Sequence, residues 1–388
     1  MPKETHYDIA IIGGGIAGAA IAREATLQGK KVILFEKSTF GSGTSSKSSK
    51  LIHGGLRYLE VAWSALLSGC LGEFWKNLRF VYLALKETQI LAKSWPDLIQ
   101  EIELLMPIYK HHGRSKFSVF FGTWLYGFLA QCGGGKKGTR ILGSAEEVLK
   151  LEPGLQSNGL LGGVIVQDHT TNDLALVHRI LQDARSRGAD ALEHAEVSHY
   201  HFQKHADLFE IRVEINQVDK IFYAKHLVNA SGAWVDRVRQ MAGGIKSQMI
   251  APIAGAHVEV QKFSRYSTIL QAEDHRLFFV INRGERARIG TTERVETNPD
   301  QVEVTAAEIR YLLSSVKRFF PGAQLGPSQI LSADAGIRPL ARPKQASSAN
   351  EISREHQFVW DERGAVHVLG VKLTDHRRAA VELLHKIR

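Results

Sequence analysis

An α/β fold with two domains interleaved along the chain is predicted by three observations. Residues 7–36 run buried strand, glycine turn, helix, strand. Strand-like and helix-like segments then alternate along the rest of the sequence without separating into two halves. At 388 residues the chain is too long for one small domain and comfortable for two packed ones.

The elements follow in order. Tyr7-Asp8-Ile9-Ala10-Ile11-Ile12 is a nearly continuous apolar run, as a parallel strand buried on both faces requires. Gly13-Gly14-Gly15 turns the chain into a helix from about Ile16 to Gln28. Gly29 ends that helix, and Lys31 to Glu36 forms the second strand of a βαβ unit. Gly41 to Ser49 is a Gly/Ser/Thr-rich loop, and Ala62 to about Ala130 is helix-rich and aromatic. Leu174 to Arg187 has amphipathic helical spacing, whereas Phe209 to Ile215 alternates apolar and charged residues as a strand does. A buried strand at Leu227-Val228 runs into Asn229-Ala230-Ser231-Gly232-Ala233. Further strands are expected at His257–Val260, Arg276–Ile281, Ala287–Gly290 and Val366–Gly370. Helices are expected at Thr305–Phe320, capped by Thr305 and closed by Pro321-Gly322, and at Leu373–Ile387. Residues 1–80, 140–250 and 330–388 are assigned to a discontinuous dinucleotide-binding domain, and 81–139 with 251–329 to a substrate-binding cap.

Composition narrows the function classes. Lys plus Arg outnumber Asp plus Glu by 49 to 40, a formal charge of +9 that suits anionic substrates, anionic membranes or nucleic acid. No basic block interleaved with aromatics is present, so nucleic acid is not an expected partner. The two cysteines, Cys70 and Cys132, form neither a C-x-x-C pair nor a metal-ligand spacing, so no metal is expected and a reducing cytoplasmic setting is. An apolar strand begins at Tyr7 where a signal peptide would lie. No uncharged apolar run reaches the roughly 20 residues of a spanning helix. Val61–Gly72 and Phe117–Ala130 come closest.

The strand–turn–helix carries Gly13-x-Gly15-x-x-Gly18. Gly13 permits the tight turn, Gly15 lets backbone approach a pyrophosphate, and Gly18 lets helix and strand pack closely. Ile16 and Ala17 open the helix whose N–H groups and positive dipole end attract phosphate. Glu36, at the end of the second strand, can accept from a ribose hydroxyl and disfavours the 2′-phosphate of NADP. FAD is favoured over NAD by what comes next. A Ser/Thr/Lys loop and a long helical segment interrupt the βα series, as if a large ring system needed its own cradle. Small residues at Ala230 and Gly232, ahead of Trp234, leave room at a strand end for a second part of the cofactor.

Thr44-Ser45-Ser46-Lys47-Ser48-Ser49-Lys50-Leu51-Ile52-His53-Gly54-Gly55-Leu56-Arg57-Tyr58-Leu59-Glu60 closely resembles the flavin-contacting segment of FAD-dependent glycerol-3-phosphate dehydrogenases and α-glycerophosphate oxidases. Val228–Trp234, Leu270–Asp274 with Phe279–Ile281, Ile289–Glu293, Gly336–Leu340 and Lys372–Thr374 match the same family in the same order. The resemblance implies a glutathione-reductase-type FAD-binding Rossmann domain with a mixed-sheet substrate domain. It also implies oxidation of sn-glycerol 3-phosphate to dihydroxyacetone phosphate; a quinone is the expected electron acceptor, with oxygen the alternative. Thr44, Ser45, Ser49, Lys50, Leu51, His53, Gly54, Val197, Gly336, Lys372, Leu373 and Thr374 would join the glycine-turn residues around FAD. The chain departs from the family pattern at Ala254, Ala256, Leu174, Asp334, Val371 and Asp375, and residues 61–80 look like an apolar insertion. An FAD-binding relative with another small hydroxy acid or amine as substrate, or with little activity, is the alternative that these departures keep open.

Flavin oxidation of a secondary alcohol needs a base for the hydroxyl proton, a near-attack carbon and positive charge on the phosphate. Arg57, Arg338 and Lys372 are the expected cations, since a guanidinium fork binds two phosphate oxygens at once. Tyr58 adds a hydrogen-bond donor, and His257 is the expected base because imidazole titrates near neutral pH. His53 is expected to pack against the flavin, and Asp168 and Asp173 to be structural. Trp63, Leu66, Leu67, Leu71, Phe74, Trp75, Leu78 and Phe80, with Lys76 and Arg79 nearby, compose either an interfacial membrane helix on the inner face of the cytoplasmic membrane or a buried helix of the cap. Assembly is left open between monomer and homodimer.

Overall fold

The computed structural model describes residues 6–110, 116–135, 139–243, 247–296, 298–342 and 355–387, with the side chains of Arg57 and Phe117 outside the described set. Two sheets organise these residues. The first has the strand order Gln357–Trp360, Val366–Leu369, Val218–Asn229, His6–Ile12, Val32–Phe35, Asp190–Leu192. Its centre is parallel, with Ile11 opposite Val228 on one side and Leu34 on the other. Ile9, Ile11, Leu34 and Val228 are at most 1% exposed. At roughly 1.5–3 kcal/mol per fully buried aliphatic side chain, such a row fixes the strand against every solvent-facing alternative. Helices Ile16–Leu27, Asp173–Ser186 and His376–Lys386 pack on one face in a single core. An antiparallel excursion, Ala195–Gln203 with Leu208–Ile215, hangs from Val218–Asn229.

The second sheet is mixed and larger. It runs Arg294–Val295, Ile250–Gln261, Arg286–Gly290, Leu277–Arg283, Ser267–Gln271, Ile99–Tyr109, Leu160–Thr171, Leu51–Ile52, with Ile330–Ala341 on Ile250–Gln261 and Thr139–Leu142 on Leu160–Thr171. The expected domain boundaries need correcting here. Strands over 160–171 and 330–341 were placed with the dinucleotide-binding segments, yet their ladders belong to this second sheet. Leu51–Ile52, inside the expected cofactor domain, also joins it. The helix-rich reading of 62–130 misses the eleven-residue strand Ile99–Tyr109. Its apolar residues at 99, 102, 105, 106 and 109 suit a helix face as well as a strand, and Pro107 argues against a central strand. Pro107 is tolerated because the neighbour on that side, Ser267–Gln271, pairs only at Leu104 and Leu105.

Helix Ala306–Phe319 starts with a full capping box between Thr305 and Glu308, worth about 1 kcal/mol. Helices Leu56–Leu67, Leu71–Ser94 and Lys116–Cys132 form a cap over the second sheet, sealed by Leu59, Val81, Leu85, Tyr126, Val164 and Val166. Among the described residues no helix is long and apolar enough to cross a membrane.

Candidate active site

A cleft of about 1600 Å³ runs between the two sheets. That exceeds the roughly 300–1,000 Å³ of an ordinary small-molecule pocket, leaving space for an extended dinucleotide and a small second ligand.

One end is built by the glycine turn. Gly13 has φ +109°, and a Cβ there would stand 2.7 Å from Ala230 O and from Ser231 Cα. The first and fourth parallel strand ends therefore touch only because this residue has no side chain. Gly18 does not line the cleft. Its place against the strand leaves a would-be Cβ 1.9 Å from Gly13 O, so its role is close packing. At Gly15 a Cβ would meet only Ser45 Oγ, at 3.0 Å. Helix Ile16–Leu27 has no side-chain cap and no acidic residue in its first turn. Gly15, Ile16 and Ala17 line the cleft, so its positive end opens there, and Ser45 Oγ accepts from the Ile16 N–H at 2.9 Å. Glu36 holds the turn itself: its carboxylate accepts from the N–H groups of Gly14 at 2.7 Å and Ser38 at 2.9 Å. Lone pairs remain on both oxygens for a ribose hydroxyl.

Ile16, Ala17, Thr44, Ser45, Ser49, Leu51, His53, Gly54, Val197, Ala230, Gly232, Trp234, Gly336, Leu373 and Thr374 all line the same cleft. The loop that carries Thr44 is tied to the second sheet, Thr44 Oγ1 donating to Ile337 O at 2.5 Å. Thr374 locks the His53 turn, accepting from its N–H at 3.0 Å. Lys50 is the exception among the expected cofactor residues. It lies outside the cleft lining, and its Nζ is committed to the fully buried carboxylate of Asp173 and to Ser46 O at 2.9 Å. Two of its three ammonium donors are thus spent inside the protein.

Tyr58, His257, Arg338 and Lys372 also line this cleft. Lys372 Nζ donates to Tyr58 Oη at 2.8 Å and lies 4.5 and 4.2 Å above the rings of Tyr58 and Phe80. Arg338, opposite Ile253 in the sheet, donates to Thr291 Oγ1 at 2.7 Å and to Thr292 O at 3.4 Å. Arg57 sits in the first turn of Leu56–Leu67, and its side chain lies outside the described residues. His257 is 3% exposed. Burial, then the positive charges of Arg288, Arg338 and Lys50, hold its imidazole well below the usual range, so it is neutral at physiological pH.

Three groupings escaped the sequence reading. Ser49 Oγ lies 2.9 Å from His257 Nε2. Arg288, also 3% exposed, gives Asp334 a two-pronged contact at 2.7 Å on each oxygen. Tyr126 Oη accepts from the Gly54 N–H at 2.8 Å and donates to Asp168 at 2.7 Å; burial pushes that carboxyl up to about 8. All three join residues dozens to hundreds of positions apart. Ser49, Gly54, His257, Asp168 and Asp334 are each notable in the sequence, but their pairings are not.

A glycine turn opening a helix, an acid at the end of the second strand and a long cleft that also holds cations and a buried imidazole suit a flavin-dependent oxidoreductase. The chain belongs to the FAD dependent oxidoreductase family, whose model matches residues 8–372, and FAD is its cofactor. It is 34% identical to the aerobic glycerol-3-phosphate dehydrogenase of Staphylococcus epidermidis and 32% identical to that of Staphylococcus aureus. Each alignment covers 98% of this chain and 67% of the relative, so the chain spans about two thirds of their length. The glycerol-3-phosphate dehydrogenase of Bacillus halodurans, solved with FAD, superposes with a TM-score of 0.77 at 25% identity, over 100% of this chain and 64% of that one. L-α-glycerophosphate oxidase of Mycoplasma pneumoniae shares the fold at a TM-score of 0.74 and 17% identity, over 99% and 95%.

Proposed function

We propose that this chain oxidises sn-glycerol 3-phosphate to dihydroxyacetone phosphate and passes the electrons to a quinone. The observation that carries the reading is that Arg338, Lys372, Tyr58 and a buried His257 line the same cleft as the glycine turn and the Thr44–Ser49 loop. FAD bound through the glycine turn, Glu36 and the Thr44–Ser49 loop supplies the two-electron acceptor. The remaining work falls to side chains. Arg338, braced by Thr291 and Thr292, presents a guanidinium to a phosphate dianion, with Arg57 as its proposed companion. Lys372, held over two aromatic rings, offsets charge developing on the substrate oxygen. His257 provides the proton acceptor.

The test is anaerobic mixing of the purified flavoprotein with glycerol 3-phosphate and, separately, with glycerol. Glycerol 3-phosphate is expected to bleach the flavin and glycerol to do so far more slowly. Equal rates, or none with either, would remove the assignment. Bleaching by a small hydroxy acid or an amine instead would establish the altered-substrate alternative.

The quinone reading brings the cap to a bilayer. Leu66, Leu67, Leu71, Trp75, Phe121, Trp124 and Phe128 are all exposed on the three cap helices. Trp63, Phe121, Trp124 and Phe128 form a ladder with successive ring centroids 5.3, 5.9 and 6.0 Å apart. Phe80, expected on that surface, points inward beneath Lys372 instead. Aromatics beside Lys76 on a cationic chain suit a peripheral site on the cytoplasmic leaflet. Flotation with anionic vesicles at low salt should carry the protein upward, and Trp75→Ser with Trp124→Ser should weaken that binding at least tenfold, about 1.4 kcal/mol. Protein that stays at the bottom with anionic vesicles contradicts the membrane site.

A further inference from the structure

We propose that the Ser49 hydroxyl is a proton relay through which an alcohol in the cleft delivers its proton to His257. The proposal rests on the reading of the cleft as an alcohol-oxidising site, and it concerns how a nearly sealed histidine can serve as base.

His257 is pinned. Gly290 lies against the face of its ring so closely that a Cβ there would be 2.1 Å from Cδ2. One ring nitrogen, Nε2, is occupied by Ser49 Oγ at 2.9 Å. The other, Nδ1, has no hydrogen-bond partner and faces Asp334 Oδ1 at 3.9 Å. His257 reaches the cleft lining with only 3% of its surface exposed and its Nδ1 buried, whereas Ser49, which sits on its Nε2, is half-buried and lines the cleft too. The hydroxyl is thus the polar group interposed between solvent-side space and the imidazole.

Charge selects the tautomer. A lone pair on Nδ1 would point toward the Asp334 carboxylate, which costs energy, while an N–H pointing there is favourable. Nδ1 therefore carries the proton, and Nε2 accepts from the Ser49 hydroxyl. The charged groups facing the ring are Arg288 from Arg286–Gly290, Arg338 and Asp334 from Ile330–Ala341, Lys50 from the preceding loop and, on its own strand, Glu259, which lies 3.4 Å from Arg288. The cations keep the ring neutral before turnover, and Asp334 steadies the imidazolium that forms during it.

The step balances as follows. The substrate O–H proton moves to Ser49 Oγ while the proton already on Ser49 moves to His257 Nε2. The electron pair of the carbinol C–H bond leaves as hydride to FAD, and the substrate C–O bond becomes a carbonyl. Ser49 ends with one proton, as it began.

Two measurements test the relay. In anaerobic stopped flow, Ser49→Ala is expected to slow flavin reduction by glycerol 3-phosphate roughly hundredfold or more, the range of a lost general base, with substrate affinity changed only a few-fold. Ser49→Thr, which keeps the hydroxyl, should recover to within about tenfold of wild type. Ser49→Ala reacting like wild type, or Ser49→Thr as slow as Ser49→Ala, overturns the proposal. Independently of turnover, nitrogen-15 NMR of the histidine-labelled holoenzyme should show His257 as the Nδ1–H tautomer, with an Nε2 shift that moves in Ser49→Ala. An Nε2–H tautomer overturns it. A wild type that glycerol 3-phosphate cannot reduce would sink the substrate assignment instead, and the tautomer would still decide the hydrogen-bond geometry on which the relay stands.

Discussion

Gly15→Val protein is expected to fold and to be colourless. The two halves of that result come from different neighbours. Toward the protein, a Cβ at Gly15 meets only the Ser45 hydroxyl, a small group at 3.0 Å that can rotate away. Toward the cleft, the branched side chain fills the approach to the first-turn N–H groups at the uncapped helix end. Two charge-assisted hydrogen bonds at about 1.5–3 kcal/mol each put the loss of FAD affinity at roughly two to four orders of magnitude. Gly18→Val should behave differently, because a Cβ 1.9 Å from Gly13 O cannot be accommodated without moving the first strand. Absorbance at flavin wavelengths together with far-UV circular dichroism separates the cases. A yellow Gly15→Val protein with wild-type flavin content would place the phosphates elsewhere.

Arg338→Ala is expected to lower kcat/KM for glycerol 3-phosphate ten- to a hundredfold, corresponding to one charge-assisted contact of about 1.5–3 kcal/mol. Slow oxidation of glycerol should barely change, since glycerol has no phosphate to lose. A second effect has the opposite flavour. Arg338 is one of the cations that hold His257 below its usual range, so its removal raises the imidazole pKa. A base is active when unprotonated, so the acid limb of the pH profile for the residual reaction should move to higher pH. Equal losses with glycerol and glycerol 3-phosphate would show that Arg338 acts through Thr291 and Thr292, which it braces, and not through substrate phosphate.

The parts of the site that were legible in sequence are those made by neighbours along the chain. Gly13, Gly15, Gly18 and Glu36 lie within one βαβ unit, where backbone geometry dictates residue type. The strand at Leu227-Val228 was legible because burial on both faces forces an apolar run. Ile99–Tyr109 was not, since its pattern fits two periods and its pairing with Leu160–Thr171 spans a cap helix. Lys50 misled for a related reason. Its segment sets it among the residues around FAD, but the partner that claims its ammonium, Asp173, is 123 residues away. Ser49 and His257 are separated by 208 positions, and Arg288 and Asp334 meet only once two strands flank the one bearing His257. Chemistry assembled across a sheet leaves no local spacing to read.

The order of the parallel strands has a consequence for biosynthesis. His6–Ile12 pairs with Val218–Asn229, and that strand with Val366–Leu369. A growing chain thus carries its glycine turn for about 220 residues before the neighbouring strand leaves the ribosome, roughly 10–40 s at about 5–20 residues per second. Throughout that interval Ala230 and Ser231, which shape the floor beneath Gly13, do not yet exist as structure. The turn preceding His376–Lys386, with Lys372 and Thr374, is translated later still. The three parts of the cofactor cleft thus come together only after residue 374 has left the ribosome.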